Sequence, residues 1–248
     1  MWNRPGLAIL AVIATLGAQY EYIKLCFRGK SPTLHACFFI CCFLIYGFFS
    51  MDFPETSVAV LAISTMVMAA TVMLLERKVE NNIEKQNFIA FCALGFIYVG
   101  ILPAIVTNLI LWHSYGLEIF LVCLVSVITT DVMAYFWGRR FGKTKLVPSI
   151  SPNKTKAGSY AGSIFAIITT FTTCWILGLQ ANIIGLTITG LLASTFAQFG
   201  DLFESILKRN AGAKDSGRIM PGHGGYLDRL DSILFSFPLF YCYVIWFM

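Results

Sequence analysis

Eight apolar runs of about 20 residues each leave this chain few folds to choose from: 6–27, 33–51, 57–75, 88–112, 116–137, 159–178, 182–200 and 232–248. A hydrocarbon core about 30 Å thick takes roughly 20 helical residues to cross. In lipid the backbone must satisfy its own N–H and C=O groups, which only helices and closed barrels do. The runs show no alternation of lumen-facing and lipid-facing residues, so a barrel is not expected. The expected fold is an all-α polytopic integral membrane protein with about eight transmembrane helices. It is read as a single membrane domain over 1–248, with an N-terminal helical region (1–112) and a C-terminal region (113–248). Only 12% of the residues are charged, too few to cover a soluble surface of this size. The first run has Arg4 before it, no small-residue cleavage site, and Gln19 and Glu21 at its end. It therefore reads as a retained helix and not as a signal peptide.

The connecting segments divide by charge. Segments 28–32, 76–87, 138–158 and 201–231 carry two, three, six and five Lys or Arg, whereas 52–56, 113–115 and 179–181 carry none. That alternation is the positive-inside pattern; it puts the four basic segments in the cytoplasm and both termini on the opposite side. The mixed-charge stretch 76–87 reads as a solvated surface turn. The eight cysteines fall mostly inside apolar runs with no C-x-x-C or Cys/His grouping, so they are read as packing residues and not as zinc ligands or disulfides.

Against this sparing use of charge, "SILKRNAGAKDSGRIMPGHGGYLDRLD" (205–231) holds eight charged residues of both signs in 27 positions. If the seventh span continues as helix, Asp201, Glu204, Ser205 and Lys208 share one face at i, i+3, i+4 and i+7. Asp228 and Asp231 are i, i+3 neighbours at the entrance to the last span. Carboxylates gathered from two helix ends repel unless a cation joins them, and hard oxygen ligands favour Mg²⁺, which shares its remaining positions with water and substrate phosphates. Lys208, Arg209, Lys214, Arg218 and Arg229 are residue types that grip phosphate. In "PGHGG" (221–225) the glycines let backbone N–H groups approach an anion, with His223 as a further donor. Asp131, inside "VSVITTDVMAYFWG", is a carboxylate within a span and hence a candidate site residue; a pairing with Arg139 or Arg140 is the plainer alternative. Glu21, Glu118 and His113 are read as interfacial. The chemistry these residues permit is phosphoryl or nucleotidyl transfer at a membrane surface. No Walker A or dinucleotide fingerprint is present, nothing points to nucleic acid, and the substrate stays open at this level.

The 205–231 stretch resembles the signature of the phosphatidate cytidylyltransferases (CDP-diacylglycerol synthases), departing from it mildly at Met220 and Tyr226. "GDLFES" (200–205), "DVMAYFWGRRFGK" (131–143) and "SPNKT" (151–155) are similar to further blocks of that family. Val132, Met133, Lys156, Ala157 and the Gly162–Ser163 pair depart from its pattern and put the choice of nucleotide at issue. "AQYEY" (18–22) resembles the end of the family's second span, so an opening helix is expected to be missing. The resemblance implies a nucleotidyltransferase of phospholipid synthesis that converts CTP and phosphatidate to CDP-diacylglycerol and pyrophosphate; the compact length, with no long polar tail, points to the plasma (inner) membrane of a bacterium. Mg²⁺ is the implied cofactor, with K⁺ as a companion ion; the bilayer is the implied surroundings and a homodimer is admitted. The implied site lies at the cytoplasmic side of the C-terminal half. Its metal ligands are Asp201, Asp228 and Asp231, with Asp131 as a fourth acid. Lys208, Arg209, Lys214, His223 and Arg229 would hold the triphosphate and the lipid phosphate, together with Lys154, Gly224 and Gly225. Ser205 and Asp215 would orient them, and Asp201, Lys208, Asp228 and Asp231 form the catalytic set. The competing readings are a CTP-dependent lipid or polyprenol kinase, a transporter, and a family member that binds lipid without turnover.

Overall fold

The computed structural model describes residues 3–75, 82–217 and 224–248. Arg218 and His223 lie outside the described residues, as do positions 76–81 of the expected surface turn; positions 82–87 open a helix. The chain packs as two compact units: Met1–Trp112 with Asp215–Leu227, and His113–Lys214 with Asp228–Met248. Among the described residues, eight helical runs are long and apolar enough to cross a membrane, and the protein is an all-α polytopic membrane protein.

The first unit holds α1 (Asn3–Cys26), α2 (Pro32–Ser50), α3 (Pro54–Leu75) and α4 (Asn82–Gly95), which runs through a π segment, Phe96–Ile101, into α5 (Leu102–Trp112). Proline explains that π segment. Pro103 has no N–H, so the carbonyl of Val99, four residues earlier, loses its helical partner, and the helix widens there. Gln19 of α1, fully buried, donates its Nε2 to that carbonyl at 3.0 Å. Aromatic rings fill the space beside it, with Phe38 stacked on Tyr22 and Phe96 at centroid distances of 5.6 and 5.1 Å. Gly95 lets these rings close, since a Cβ there would stand 2.6 Å from Phe38 and against Tyr22. α3 instead exposes Val58, Ile63, Met66 and Met73, apolar side chains suited to lipid. Glu21 corrects the interfacial reading: it is fully buried.

The second unit holds α6 (Gly116–Phe141), strands β1 (Lys145–Val147) and β2 (Ser151–Thr155), α7 (Lys156–Ile176), α8 (Ile183–Asn210) and α9, which begins at Leu227 in the first unit and runs to Phe247. The antiparallel β1–β2 hairpin pairs Lys145 with Thr155 and Val147 with Ser151. It was not expected from an all-α reading. Pro148 suits the second position of its turn, which Ile150 N closes by donating to Val147 O at 3.2 Å. Thr155 then caps α7, its Oγ1 accepting from Gly158 N at 3.2 Å. α6 and α7 touch backbone to backbone: a Cβ on Gly162 would lie 2.8 Å from the Thr130 carbonyl, and one on Gly158 would meet the Ala134 carbonyl. Both G-x-x-x-G pairs, 138–142 and 158–162, line this seam, the small-residue spacing that lets membrane helices approach closely. At 28 residues, α8 is about 42 Å long and overruns the hydrocarbon core. One of its ends therefore stands outside the core, and its last turns carry the charged face read from the sequence.

Candidate active site

Gly200 brings the chemistry together. A Cβ at this position of α8 would run into the backbone carbonyl of Asp231 on α9, so the two helices meet here with nothing between them. Ser236 ties the same pair again further along, donating Oγ to the Ala193 carbonyl at 2.9 Å. Asp201, next after Gly200, is thereby set beside Asp231, close enough for the two charges to act on each other. Asp231 is buried, and its Oδ1 accepts from Ser232 N at 2.6 Å.

A cavity of about 520 Å³ opens beside these acids, lined by Asp131, Tyr135, Arg139, Lys145, Lys154 and Asp201 among others. Every one of them belongs to the second unit. Asp131, midway along α6, faces this cavity and feels the charges of Asp201 and Lys154. The alternative pairing with the arginines is not what forms: Arg139 donates to Tyr135 Oη at 3.3 Å. Lys154, delivered by β2, pairs with Asp201 at 2.5 Å and reaches the Gln198 carbonyl at 3.4 Å. Ser205 Oγ donates to Asp201 Oδ1 at 3.5 Å.

A second cluster lies further along α8. Lys208 Nζ stands between Glu204 Oε2 and Asp228 Oδ1, at 2.7 Å from each. Glu204 is fully buried; its Oε1 has no hydrogen-bond partner among the described residues, and its charge lies within reach of Asp231. Lys208, read from sequence as a phosphate ligand, thus clamps two carboxylates, and Asp228, read as a metal ligand, is held on Lys208. Among the described residues no three acidic, histidine or cysteine side chains form a ready-made metal cage. The donor set still fits Mg²⁺, which is usually held by one or two carboxylates, waters and substrate phosphates and not by an all-protein cage. A buried carboxylate oxygen without a donor, beside further acids, is where such a cation would be met.

The structure therefore gathers Asp131, Lys154, Asp201, Ser205, Lys208, Asp228 and Asp231 within one unit. Arg209 and Arg229 lie exposed on α8 and α9, and Lys214 is exposed beyond α8. Asp215, Gly224 and Gly225 belong to the first unit; Asp215 is exposed, and Gly224 takes φ +82°, which glycine adopts without strain. Sequence reasoning put Glu204 on the charged face of α8 without giving it a role, and left Tyr135, Arg139 and Lys145 out of the site. Glu204 carried a usable signal, its i, i+4 spacing to Lys208. The two cavity residues of α6 carried none, because which face of a lipid-embedded helix turns inward depends on its neighbours.

Comparison with known proteins agrees with this chemistry. The family profile described as "Cytidylyltransferase family" matches residues 4–247. A phosphatidate cytidylyltransferase of Staphylococcus epidermidis is 43% identical over 153 residues, covering 60% of this chain and 56% of the relative. One of Staphylococcus haemolyticus is 44% identical over 152 residues, with the same two coverages. One of Bacillus subtilis is 36% identical over 197 residues, covering 79% of this chain and 71% of the relative. The matched stretch thus spans little more than half the length of the staphylococcal relatives.

Proposed function

The chain belongs to the cytidylyltransferase family, and on that premise we propose that it transfers the cytidylyl group of CTP to phosphatidate, giving CDP-diacylglycerol and pyrophosphate. The observation that carries this reading is the cavity where Asp131 and Asp201 face Lys154, Arg139 and Lys145, with the Glu204–Lys208–Asp228 clamp further along α8. A carboxylate-and-cation surface of this kind suits a polyphosphate and its counter-ion. An oxygen of the lipid phosphate attacks the α-phosphorus of CTP; a new P–O bond forms there, and the bond to the bridging oxygen breaks as pyrophosphate leaves with the electron pair. That oxygen is already ionised near neutral pH, so no side chain has to remove a proton.

Asp201 and Asp231 would hold Mg²⁺, with Asp131 and Glu204 as the nearby acids. Bound there, Mg²⁺ supplies charge neutralisation on the phosphoryl oxygens. Lys154 exchanges its carboxylate partner for phosphate oxygens when nucleotide enters, and Arg139 and Lys145 add cationic donors from the cavity wall. Lys208 holds Asp228 and Glu204 in register with the site. The reaction belongs to the inner membrane of a bacterium with the basic segments in the cytoplasm; the Lys/Arg alternation between spans supports this.

The test uses the full chain in detergent with phosphatidate, Mg²⁺ and CTP labelled at either the α- or the γ-phosphorus. Label from the α position should enter the lipid with release of pyrophosphate. Label from the γ position in the lipid would mean a kinase, and no lipid label from any nucleoside triphosphate would end the enzymatic reading.

A further inference from the structure

The first unit contains a buried carboxylate that the reaction described above does not use. Glu21, in the last turns of α1, is fully buried. Its Oε2 accepts from Ser216 Oγ at 2.8 Å and from Leu227 N at 2.9 Å, and its Oε1 accepts from Tyr226 N at 3.1 Å. One side chain therefore ties both ends of the segment between Ser216 and Leu227 to α1. The surrounding residues are shaped to it. A Cβ on Gly217 or on Gly225 would collide with the Glu21 carboxylate, and a Cβ on Gly17, one turn before Glu21, would collide with the Tyr226 ring. Leu227 opens α9, so its N–H is one of the helix's orphan donors, and a carboxylate at a helix N-terminus is also favoured by the peptide dipoles.

We propose that Glu21 is a positioning residue: it fixes where α9 starts, and with it the two acids that follow within the first five residues of that helix, Asp228 and Asp231. This rests on the cytidylyltransferase reading for its consequence, though not for its geometry. The inference follows from the order of the chain. Asp228 is the residue after Leu227, and Asp231 lies three residues further, so the anchored amide is the last fixed point before the two acids. Three donors converging on one buried acceptor group over-determine that point, whereas a solvated loop would let it wander. In-line transfer at phosphorus is sensitive to such drift; a displacement of about 1 Å at the reacting groups costs on the order of a hundredfold in rate.

The experiment compares Glu21→Gln, Gly225→Ala and the double variant Glu21→Ala with Gly225→Ala, each as full chain in detergent. Four quantities are read: kcat and KM for CTP per folded molecule, the hydrogen-exchange rate of the Tyr226 and Leu227 amides that donate to Glu21, and retention of a monodisperse peak after heating. Gln keeps the shape but presents an amide N–H₂ where one oxygen accepted, so a donor meets a donor. Glu21→Gln should lower kcat about a hundredfold, move the KM for CTP by less than about threefold, and speed exchange of the Tyr226 and Leu227 amides about tenfold. Gly225→Ala pushes a methyl group into the same carboxylate and should act alike. Once Glu21 is Ala, Gly225→Ala should add less than it does alone, because of the two groups its methyl would meet, the Glu21 carboxylate and the Ser216 hydroxyl, only the hydroxyl remains. An unchanged kcat per folded molecule in Glu21→Gln, with or without loss of folded protein, overturns the positioning role. If Glu21→Gln does not fold, Gly225→Ala with wild-type kcat and wild-type exchange at those amides overturns it equally. A wild-type chain that turns over no CTP sinks the cytidylyltransferase reading instead, while the exchange rates still decide whether Glu21 anchors the start of α9.

Discussion

Replacing Lys208 with methionine isolates the charge at the centre of the Glu204–Lys208–Asp228 cluster, since methionine keeps most of the apolar stem. In the folded protein the ammonium lies 2.7 Å from each carboxylate, and the three side chains are 14% (Lys208), 0% (Glu204) and 14% (Asp228) exposed. With the ammonium gone, two largely buried carboxylates face each other with nothing between them. Removing one partner from a buried ion pair costs about 3–5 kcal/mol, because the charge left behind is uncompensated. For a chain of this size each kcal/mol moves the melting point about 2–4 °C, so Lys208→Met should melt roughly 6–20 °C below wild type. The assay is the fraction of monodisperse protein left after heating in detergent, read by size-exclusion chromatography. Adding Glu204→Gln and Asp228→Asn should restore most of that loss while leaving turnover absent, because the same groups then neither repel nor serve the reaction. A Lys208→Met protein melting within 2 °C of wild type would refute the clamp and return Lys208 to a simple phosphate contact.

Asp228→Ala and Asp231→Ala should each abolish CTP turnover while the protein still elutes as a folded species; near-normal rates at saturating Mg²⁺ would remove them from the catalytic set. Gly162→Ala forces a methyl group to within 2.8 Å of the Thr130 carbonyl and should cost about 1–3 kcal/mol of stability, seen as a lower melting point with CTP affinity unchanged. Gln19→Leu strands the Val99 carbonyl that Pro103 leaves unpaired, at a cost of about 1–3 kcal/mol; hydrogen exchange should then rise in the π segment first.

What the sequence made legible was whatever depends on neighbours in the chain. Each of the eight apolar runs corresponds to one membrane-length helical run, because length and apolarity alone settle whether a segment can cross lipid. Asp201, Glu204, Ser205 and Lys208 share a face because α8 does continue to Asn210, as their spacing required. Glu21 was misjudged for the opposite reason: its partner Ser216 is 195 residues away, and a carboxylate near the end of an apolar run looks interfacial until the donors that meet it are known. Lys154 was read as a phosphate ligand, and nothing in "SPNKT" says that a hairpin turns it onto Asp201. The hairpin itself was hidden by its length, three residues paired with five, too short to show a period. Gly200 was quoted as part of a block, yet its use, the absence of a side chain where α9 crosses, belongs to the packing and not to the run of letters.

The glycine-lined seam between α6 and α7 also bears on how a lipid would arrive. Carbonyls of Thr130 and Ala134 stand where side chains of Gly162 and Gly158 would otherwise project, so the two rods touch backbone to backbone at these two positions. On the reading proposed above, an alkyl tail would find no gap there and would have to pass beside them. Bulkier residues along the seam would be expected to pry open a leak and not to widen a doorway.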